Sequence, residues 1–222
     1  MHQNRSIWIS FGVLIFFIIF FAQTDVDMWV QDLFFDVSTH QWILDSDLQP
    51  YRFIFYDGAK RFLILIAVGV LLTLLFLGKK EWVQSYKRGM WVLVLSAIFI
   101  PVIVGGLKKI TNMPCPKSEL HYGGVYPKVK VWESYPKSFN QEGKSKCWPA
   151  GHASGGFALF SLWFLFKSRR NKFLALGTAF TVGWSMGLYK MLVGDHFLSH
   201  TVITMVLAWL IVLIIDRVLP NR

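Results

Sequence analysis

The sequence predicts an all-α polytopic membrane protein, and two features of its composition carry this prediction. Hydrophobic residues make up 54% of the 222 positions and charged residues only 16%, whereas a soluble domain of this length carries more charge. The hydrophobic residues are also gathered into long runs without Asp, Glu, Lys or Arg. Such runs match the roughly 17–25 residues that span the hydrocarbon core of a bilayer. We therefore expect the lipid bilayer as a partner of the chain, and no nucleic acid.

Six of these runs predict six transmembrane helices, near residues 6–22, 62–78, 89–107, 148–166, 173–189 and 197–215. The first run is interpreted as a spanning helix rather than a signal peptide, because no convincing cleavage pattern follows Ala22. The six helices leave no room for a separate soluble module. Residues 1–222 are thus expected to form a single six-helix membrane domain.

The basic residues in the short connections predict how the helices are oriented. Residues 79–88 and 167–172 are rich in Lys and Arg, and such short loops lie on the cytoplasmic side. Both termini are then cytoplasmic, and the segments after the first, third and fifth helices face outward. We expect a multi-pass protein of the bacterial inner membrane, with the outward side in the periplasm of a Gram-negative host.

The two long outward segments differ in charge. Residues 23–60 hold seven of the thirteen acidic residues and include a stretch, residues 30–37, that is expected to lie along the membrane interface. Residues 108–146 form a long, irregular outward loop with eight lysines and three glutamates. This loop is either an ordinary solvated surface or a cationic funnel for a polyanionic substrate.

The two cysteines, Cys115 and Cys147, both fall in the basic outward loop. In an oxidising compartment they predict a disulfide, and the bridge closes a loop of about 33 residues, worth roughly 3–4 kcal/mol. Two free thiols are an alternative interpretation. A metal site is another, but only His121 lies nearby as a further ligand, and a structural metal site needs more.

Candidate functional residues stand at the outward ends of four predicted helices. Lys108 and Lys109 follow the third helix, His152 begins the fourth, Lys190 ends the fifth, and His196 and His200 begin the sixth. The alternating direction of the helices brings these ends to one membrane surface. Ionisable groups at such a position are candidates for function.

Each of these residues also has a plainer interpretation. The lysines could simply extend to the interface, and His152 could be a buried, hydrogen-bonded histidine. His196 and His200 lie at i and i+4, a spacing that suits a metal. A metal site would need a third ligand and a base, and no Glu stands between the two histidines as it does in zinc-protease helices. The sequence therefore predicts no metal and no cofactor.

Three short motifs in this set resemble those of the type 2 phosphatidic acid phosphatase superfamily, whose membrane members are six-helix lipid phosphatases. The family patterns are Lys-x6-Arg-Pro, Pro-Ser-Gly-His and Ser-Arg-x5-His-x3-Asp. The matching segments 108–116, 149–154 and 190–200 read Lys108-x6-Cys115-Pro116, Pro149-Ala150-Gly151-His152 and Tyr189-Lys190-x5-His196-x3-His200. The spacing is kept in all three, while Arg is replaced in the first motif, Ser in the second, and Ser, Arg and Asp in the third. The resemblance covers about half of the chain, from the third helix onward.

The resemblance implies a role for each matching residue. His196 is the expected nucleophile, which forms a phosphohistidine, and His152 is the expected general acid and then base. Lys108 and Lys190 are expected to bind the phosphoryl oxygens, with the backbone around Gly151 and Ala153. Lys109 and Ser154 are further phosphate-binding candidates, Ser154 because Ala150 lacks the family's hydroxyl. His200 takes the place of the orienting acid, for which Asp195 or an Asp of residues 23–60 is an alternative.

The implied activity is a metal-independent phosphatase that hydrolyses a phosphomonoester or pyrophosphate of an envelope lipid. Lipid A, undecaprenyl pyrophosphate and phosphatidylglycerophosphate are the candidate substrates, and the eight-lysine loop favours lipid A or another envelope lipid with several phosphates. Two alternatives stay open. The protein could transfer phosphate from lipid to lipid, or it could be a non-catalytic binding or transport protein on the same fold, because several motif residues are replaced.

Overall fold

The computed structural model describes residues 2–141 and 143–220, which are mostly helical. The first half contains α1 (His2–Gln23), α2 (Val26–Asp32), strands β1 (Phe35–Asp36) and β2 (Gln41–Trp42), a π-helical turn (Phe53–Gly58) that continues into α3 (Ala59–Leu77), α4 (Glu81–Gln84) and α5 (Lys87–Thr111). The second half contains two 3-10 turns (Pro116–Ser118 and Leu120–Tyr122), α6 (Gly151–Phe157), a 3-10 turn (Ala158–Ser161), α7 (Leu162–Leu165), α8 (Arg169–Leu192) and α9 (Leu198–Val218).

Four helices in the described ranges are long and apolar enough to cross a membrane, namely α1, the helix that ends at Leu77, α5 and α9. The predicted helix near 148–166 is instead divided into α6, a 3-10 turn and α7. The predicted helix near 173–189 lies within α8, which carries basic residues at both ends and several Gly, Ser and Thr residues. The chain is thus a helical membrane protein, and six spans stay a prediction.

The interior of the bundle is built around α9, which is buried along most of its length. Val92 of α5, Phe157 of α6, Ala179 of α8 and Val212 of α9 belong to one core cluster. By contrast, α1 and α3 expose large apolar side chains, which suits helices that face lipid. This arrangement places the ends of α5 and α8 beside the starts of α6 and α9. We call this part of the bundle the site end.

Two glycines allow α6 and α8 to come into backbone contact. A Cβ atom built on Gly156 would lie 2.6 Å from the Cα atom of Gly183, and one on Gly183 would lie 2.3 Å from the ring of Phe157. No real Cβ atom tolerates such distances, so both positions require glycine for this packing. The contact fixes the start of α6, which carries His152, against the helix that carries Lys190.

The long segment between α5 and α6 is fastened to the end of α5 at several points. Cys115 and Cys147 form a disulfide, as the sequence predicts. Asn112 ends α5 in the left-handed conformation, and its side chain accepts hydrogen bonds from Gln141 at 2.8 Å and from the Ser145 backbone at 2.8 Å. The Thr111 hydroxyl donates to the Trp148 carbonyl at 2.8 Å. These contacts hold the approach to α6 close to Lys108.

The segment predicted to lie along the interface has more structure than its sequence indicates. Residues 30–37 contain the end of α2 and strand β1, which pairs antiparallel with β2. Phe35 packs with Trp42 and Tyr122 at ring-centroid distances of 4.8 and 5.2 Å. This aromatic group joins the first segment to the basic loop and lies against Phe197 at the start of α9.

Candidate active site

The three histidines singled out by the sequence lie together at the site end. The ring centroids of His152 and His196 are 6.3 Å apart, and those of His196 and His200 are 5.4 Å apart. His196 and His200 are buried, with 3% and 0% of their surface exposed. The backbone N–H of Ala150 donates to the carbonyl of His200 at 3.1 Å, which ties the start of α6 to the first turn of α9.

The nitrogen atoms of His196 have distinct surroundings. Its Nδ1 atom lies 3.3 Å from Nδ1 of His200, whereas its Nε2 atom is buried and has no hydrogen-bond partner among the described residues. Burial lowers the pKa of His196 well below its ordinary value, and the neighbouring His200 lowers it further. His196 is therefore a neutral imidazole with one nitrogen engaged and the other available, as a nucleophile requires.

His152 faces the same space from the first turn of α6. Its Nδ1 atom is also buried and lacks a partner in the described part of the chain. Its ring packs against Tyr56, with ring centroids 4.4 Å apart. Two imidazoles with unpartnered nitrogens thus stand on either side of one small space, the arrangement needed for a nucleophile and a proton donor.

Two lysines bring positive charge to this space. A Cβ atom built on Gly151 would lie 3.3 Å from Nζ of Lys108, so the glycine leaves room for this ammonium group at the start of α6. Nζ of Lys190 lies 2.7 Å from Asp195 and 4.4 Å from the centroid of the Tyr56 ring. Both lysines are placed to neutralise an anion between the two histidines.

Asp195 is engaged by lysines on both of its oxygens. Oδ2 accepts from Lys190 and Oδ1 from Lys117, each at 2.7 Å. Burial acts to raise the pKa of Asp195, but these two ammonium groups outweigh it and leave the pKa below its ordinary value. The suggestion that Asp195 orients His196 is therefore not supported. Asp195 is paired with Lys117 and Lys190, and the neighbour of His196 Nδ1 is His200.

Two members of the expected phosphate-binding set are not brought to this space. Lys109 is exposed on α5 and, unlike Lys108, does not line the cavity beside His152, because successive helical residues point about 100° apart. Ser154 is fully buried, and its hydroxyl donates back to the Gly151 carbonyl at 2.6 Å within the same helix. Ser154 thus does not replace the hydroxyl that Ala150 lacks. Ala153 is also buried, so its contribution would come from its backbone.

A cavity of about 600 Å³ lies between α3 and α5 and reaches His152 at the start of α6. Lys60, Lys108 and His152 line one end of it. The rest of its wall is apolar and includes Leu63, Ala67, Leu71, Leu93, Val94, Ala97, Ile98 and Pro101. The cavity is therefore amphipathic, with lysines beside His152.

Sequence reasoning missed Tyr56, Lys60 and Lys117. Lys60 stands at the head of the second apolar run, on the same predicted side as the other candidates, so its position was a usable signal. Tyr56 precedes it by one helical turn and faces His152. Lys117 reaches Asp195 from the long loop, and one lysine among eight in that loop gave no signal of its own.

The side chains that could bind a metal near the site are few in the described ranges. Within residues 2–141 and 143–220, no group of three or more His, Cys, Asp or Glu side chains has the arrangement of a metal site. His196 and His200 face each other through Nδ1, and the acidic side chain nearest in sequence, Asp195, is held by lysines.

Comparisons with known proteins agree with the motif spacing. The family model described as the PAP2 superfamily matches residues 89–222. A lipid A 4'-phosphatase of Francisella tularensis subsp. novicida (strain U112) is 26% identical over 206 residues, which cover 90% of this chain and 88% of that protein. No solved structure gives a significant match. Because the family match covers more than half of the sequence and contains all three motifs, this chain belongs to the PAP2 superfamily.

Proposed function

We propose that this protein is a lipid phosphatase that removes phosphate from a membrane lipid through a phosphohistidine on His196. The observation that carries the proposal is the pairing of His152 and His196, whose ring centroids are 6.3 Å apart. Each has a buried nitrogen without a partner in the described chain. Membership of the PAP2 superfamily and the related lipid A 4'-phosphatase support the reaction class.

In the first step, Nε2 of His196 attacks the phosphorus atom and forms the N–P bond while the ester O–P bond breaks. The leaving oxygen takes a proton from His152. In the second step, a water attacks the phosphorus atom, the N–P bond breaks, and His152 accepts the proton of that water. The negative charge of a bound phosphate favours the protonated form of His152 that the first step needs.

Lys108 and Lys190 neutralise the phosphoryl oxygens in both steps. A lysine presents a single point charge, whereas the arginine of the family motifs presents a two-pronged donor. Orientation of the phosphate by these side chains is accordingly weaker than in the family pattern. Two contacts compensate for this weaker orientation, because they fix the position of the Lys190 ammonium group. They are its ion pair with Asp195 at 2.7 Å and its contact with the Tyr56 ring.

The amphipathic cavity supports a lipid substrate. Its cationic end suits a phosphate headgroup, and its apolar length between α3 and α5 suits an acyl chain. We propose an envelope lipid that reaches the site from the outer leaflet of the bacterial inner membrane, in a six-span topology with cytoplasmic termini. Lipid A is the first candidate because the relative acts on lipid A. Undecaprenyl pyrophosphate and phosphatidylglycerophosphate are the others.

The test is phosphate release by the purified protein from these three lipids and phosphatidic acid, with EDTA present. We expect release from at least one lipid, and a loss of about 1,000-fold or more in His152→Ala and His196→Ala. His121→Ala is the matched control, because His121 is half exposed and paired with Asp32 at 3.0 Å. It should keep full activity.

The alternatives give different outcomes in the same assay. Loss of lipid phosphate without free phosphate would indicate transfer to another lipid, and strong inhibition by EDTA would indicate a metal. A protein that is inert on every lipid, with His196→Ala no different from the natural chain, would indicate a binding protein. Full activity of His196→Ala would contradict the proposed nucleophile.

A further inference from the structure

His196 lies in a short connection between two helix ends, of which the end of α8 has an ordinary glycine cap, with the Gly194 N–H donating to the Met191 carbonyl at 3.0 Å, and the start of α9 has no side-chain cap of its own. α8 ends at Leu192 and α9 begins at Leu198. The first N–H groups and the last carbonyls of a helix have no partners within the helix. The N-cap position of α9 is Phe197, whose side chain accepts no hydrogen bond. The N–H groups at the start of α9 must therefore find a partner elsewhere.

The partner for the start of α9 comes from α2. Oδ1 of Asp27 accepts a hydrogen bond from the backbone N–H of Ser199 at 2.7 Å, across 172 residues of sequence. Ser199 is the second residue of α9, and an N-cap side chain normally accepts from this position or the next. A carboxylate at a helix start also interacts favourably with the helix dipole. Asp27 thus supplies the cap that Phe197 does not.

The same face of α2 adds a second hydrogen bond at the end of α8, to the Met191 carbonyl that also accepts from Gly194. Nε2 of Gln31 donates to the carbonyl of Met191 at 2.8 Å, across 160 residues of sequence. The Gln31 side chain is completely buried, so this bond is shielded from water. Asp27 and Gln31 stand at i and i+4, and such residues share one face of a helix. A single turn of α2 therefore caps the start of α9 and binds the end of α8, on the two sides of His196.

Backbone hydrogen bonds hold the connection between these two contacts. The carbonyl of Lys190 accepts from the backbone N–H groups of Asp195 at 2.8 Å and His196 at 3.1 Å. Gly194 has φ +73°, and a Cβ atom on it would lie 2.3 Å from the ring of Trp42. The connection is thus fixed at both ends and covered by an aromatic ring from β2.

We propose that α2 positions the nucleophile: Asp27, by capping the start of α9, and Gln31, by binding the end of α8, fix His196 relative to His152 and Lys190. The proposal rests on the proposed function of His196. It assigns a role to part of the acidic segment before the second predicted helix, which lies outside the residues matched by the family model. Asp27 and Gln31 are positioning residues, because each acts on the backbone that carries His196.

The expected effect falls on the chemical step rather than on substrate binding. A displacement of a reacting group by about 1 Å costs on the order of 100-fold in rate. Loss of either hydrogen bond from α2 loosens the segment 190–200, whereas the amphipathic cavity between α3 and α5 stays intact. We therefore expect kcat to fall by about 10- to 100-fold while KM for the lipid changes by less than about threefold.

The experiment compares Asp27→Ala and Asp27→Asn with the natural protein, using phosphate release from the best lipid substrate. Asp27→Ala removes the acceptor for the Ser199 N–H. Asp27→Asn keeps an acceptor oxygen and removes the charge, so it should restore most of kcat. Gln31→Met keeps the length of the side chain and removes the donor to Met191, so it should lower kcat as Asp27→Ala does. It is also the milder change if Asp27→Ala does not yield folded protein.

Two controls separate positioning from general destabilisation. Asp25→Ala changes an exposed acid beside α2 that pairs with Lys128 at 2.7 Å and should leave kcat unchanged. Each variant is assayed well below its own Tm, with inhibition by orthovanadate, a phosphoryl transition-state mimic, as a second readout. Inhibition should weaken in parallel with kcat.

The outcomes are distinguishable from those of the proposed function. If His196→Ala is inactive and both Asp27→Ala and Gln31→Met keep kcat and vanadate inhibition within twofold, only the positioning role is wrong. An Asp27→Asn protein as slow as Asp27→Ala would also contradict it. If His196→Ala keeps full activity, the nucleophile assignment fails and the positioning role fails with it.

Discussion

Nδ1 of His200 lies 3.3 Å from Nδ1 of His196, with both rings buried at the start of α9. When two like nitrogens face each other, one must carry the proton and the other must accept it. His196 can therefore donate through Nδ1 and leave Nε2 free, which is the tautomer that a nucleophile at Nε2 requires. A neutral His200 can hold His196 in this orientation. It lacks the negative charge with which a carboxylate would stabilise His196 when that ring becomes charged.

Replacement of His200 tests this orientation. His200→Phe keeps a ring in a fully buried position but removes the acceptor, and we expect kcat to fall by at least about 100-fold. His200→Asp restores an acidic acceptor and should keep more activity than His200→Ala. Phosphate release and Tm are measured together. A His200→Phe protein that folds and keeps its kcat would show that Nδ1 of His196 needs no partner.

Lys108 and Lys109 form a matched pair of adjacent lysines with different surroundings. Lys108 lines the space beside Gly151 and His152, whereas Lys109 is exposed. We expect Lys108→Met to lower kcat/KM by about 100- to 1,000-fold, comparable to removal of one charge-stabilising donor. Lys109→Met should change it by less than about threefold. Equal losses in the two variants would contradict the placement of Lys108 at the phosphate.

Tyr56 contacts both a histidine and a lysine of the site. Its ring lies 4.4 Å from His152 by centroids and 4.4 Å from Nζ of Lys190. A cation–π contact contributes about 0.5–2 kcal/mol, so we expect Tyr56→Leu to lower kcat/KM by roughly 3- to 30-fold. Tyr56→Phe keeps the aromatic face and should stay close to the natural value. If kcat/KM falls as much in Tyr56→Phe as in Tyr56→Leu, the hydroxyl group rather than the aromatic ring of Tyr56 contributes to activity.

Glu119 gives a prediction for the pH dependence of stability. Burial raises its pKa to about 7 from an ordinary 4.5; Lys128 opposes this rise and Asp27 adds to it. A raised pKa in the folded state means that stability is greatest below the unfolded pKa and is lost as pH rises through about 7. The loss is on the order of 3 kcal/mol for a shift of this size.

The measurement for Glu119 is Tm in detergent from pH 4 to pH 8. We expect Glu119→Gln to remove part of the fall in Tm between about pH 4.5 and pH 7 and to be the more stable protein at pH 8. Glu133→Gln is the control, because Glu133 is exposed. A Glu119→Gln protein whose Tm follows the natural profile would show that Glu119 does not titrate in this range.

The disulfide between Cys115 and Cys147 closes a loop that joins the end of α5 to the start of α6. We expect Cys115→Ser to lower the free energy of unfolding by roughly 3–4 kcal/mol. It should also reduce turnover, because Lys108 and His152 stand on the two sides of the bridge. A reducing agent should reproduce both effects in the natural protein and have none on the variant. Unchanged Tm and turnover under non-reducing conditions would contradict this role.

Much of the fold followed from the distribution of charge along the sequence. Apolar runs long enough to span a bilayer predict α1, α3, α5 and α9, because a membrane imposes a minimum length on such helices. The run near 148–166 is different. Its Gly, Ser and Ala residues occur in both parts of the run and do not show where α6 ends. No charged residue marks the start of the 3-10 turn either. That break arises from packing against α5 and α8, which the run itself does not encode.

The residues of the candidate site also differ in whether the sequence predicts them. His152, His196 and Lys108 were accessible from the sequence because each stands at a helix end within a spaced motif. Asp27, Gln31 and Tyr56 contact the same site from more than 90 residues away along the chain. Nothing in their local sequence distinguishes Asp27 from the other acids of residues 23–60. Only the packing of α2 across the start of α9 selects it.

The contacts made by α2 also bear on how the catalytic half of this protein could be reused. The family match begins at Gly89, so a chimaera that grafts residues 89–222 onto the front of another membrane protein would inherit every motif histidine. It would lose Asp27, Gln31 and the Tyr56 ring. We expect such a chimaera to be active only if it also includes α2 and the turn before α3, because these segments hold the catalytic residues in place.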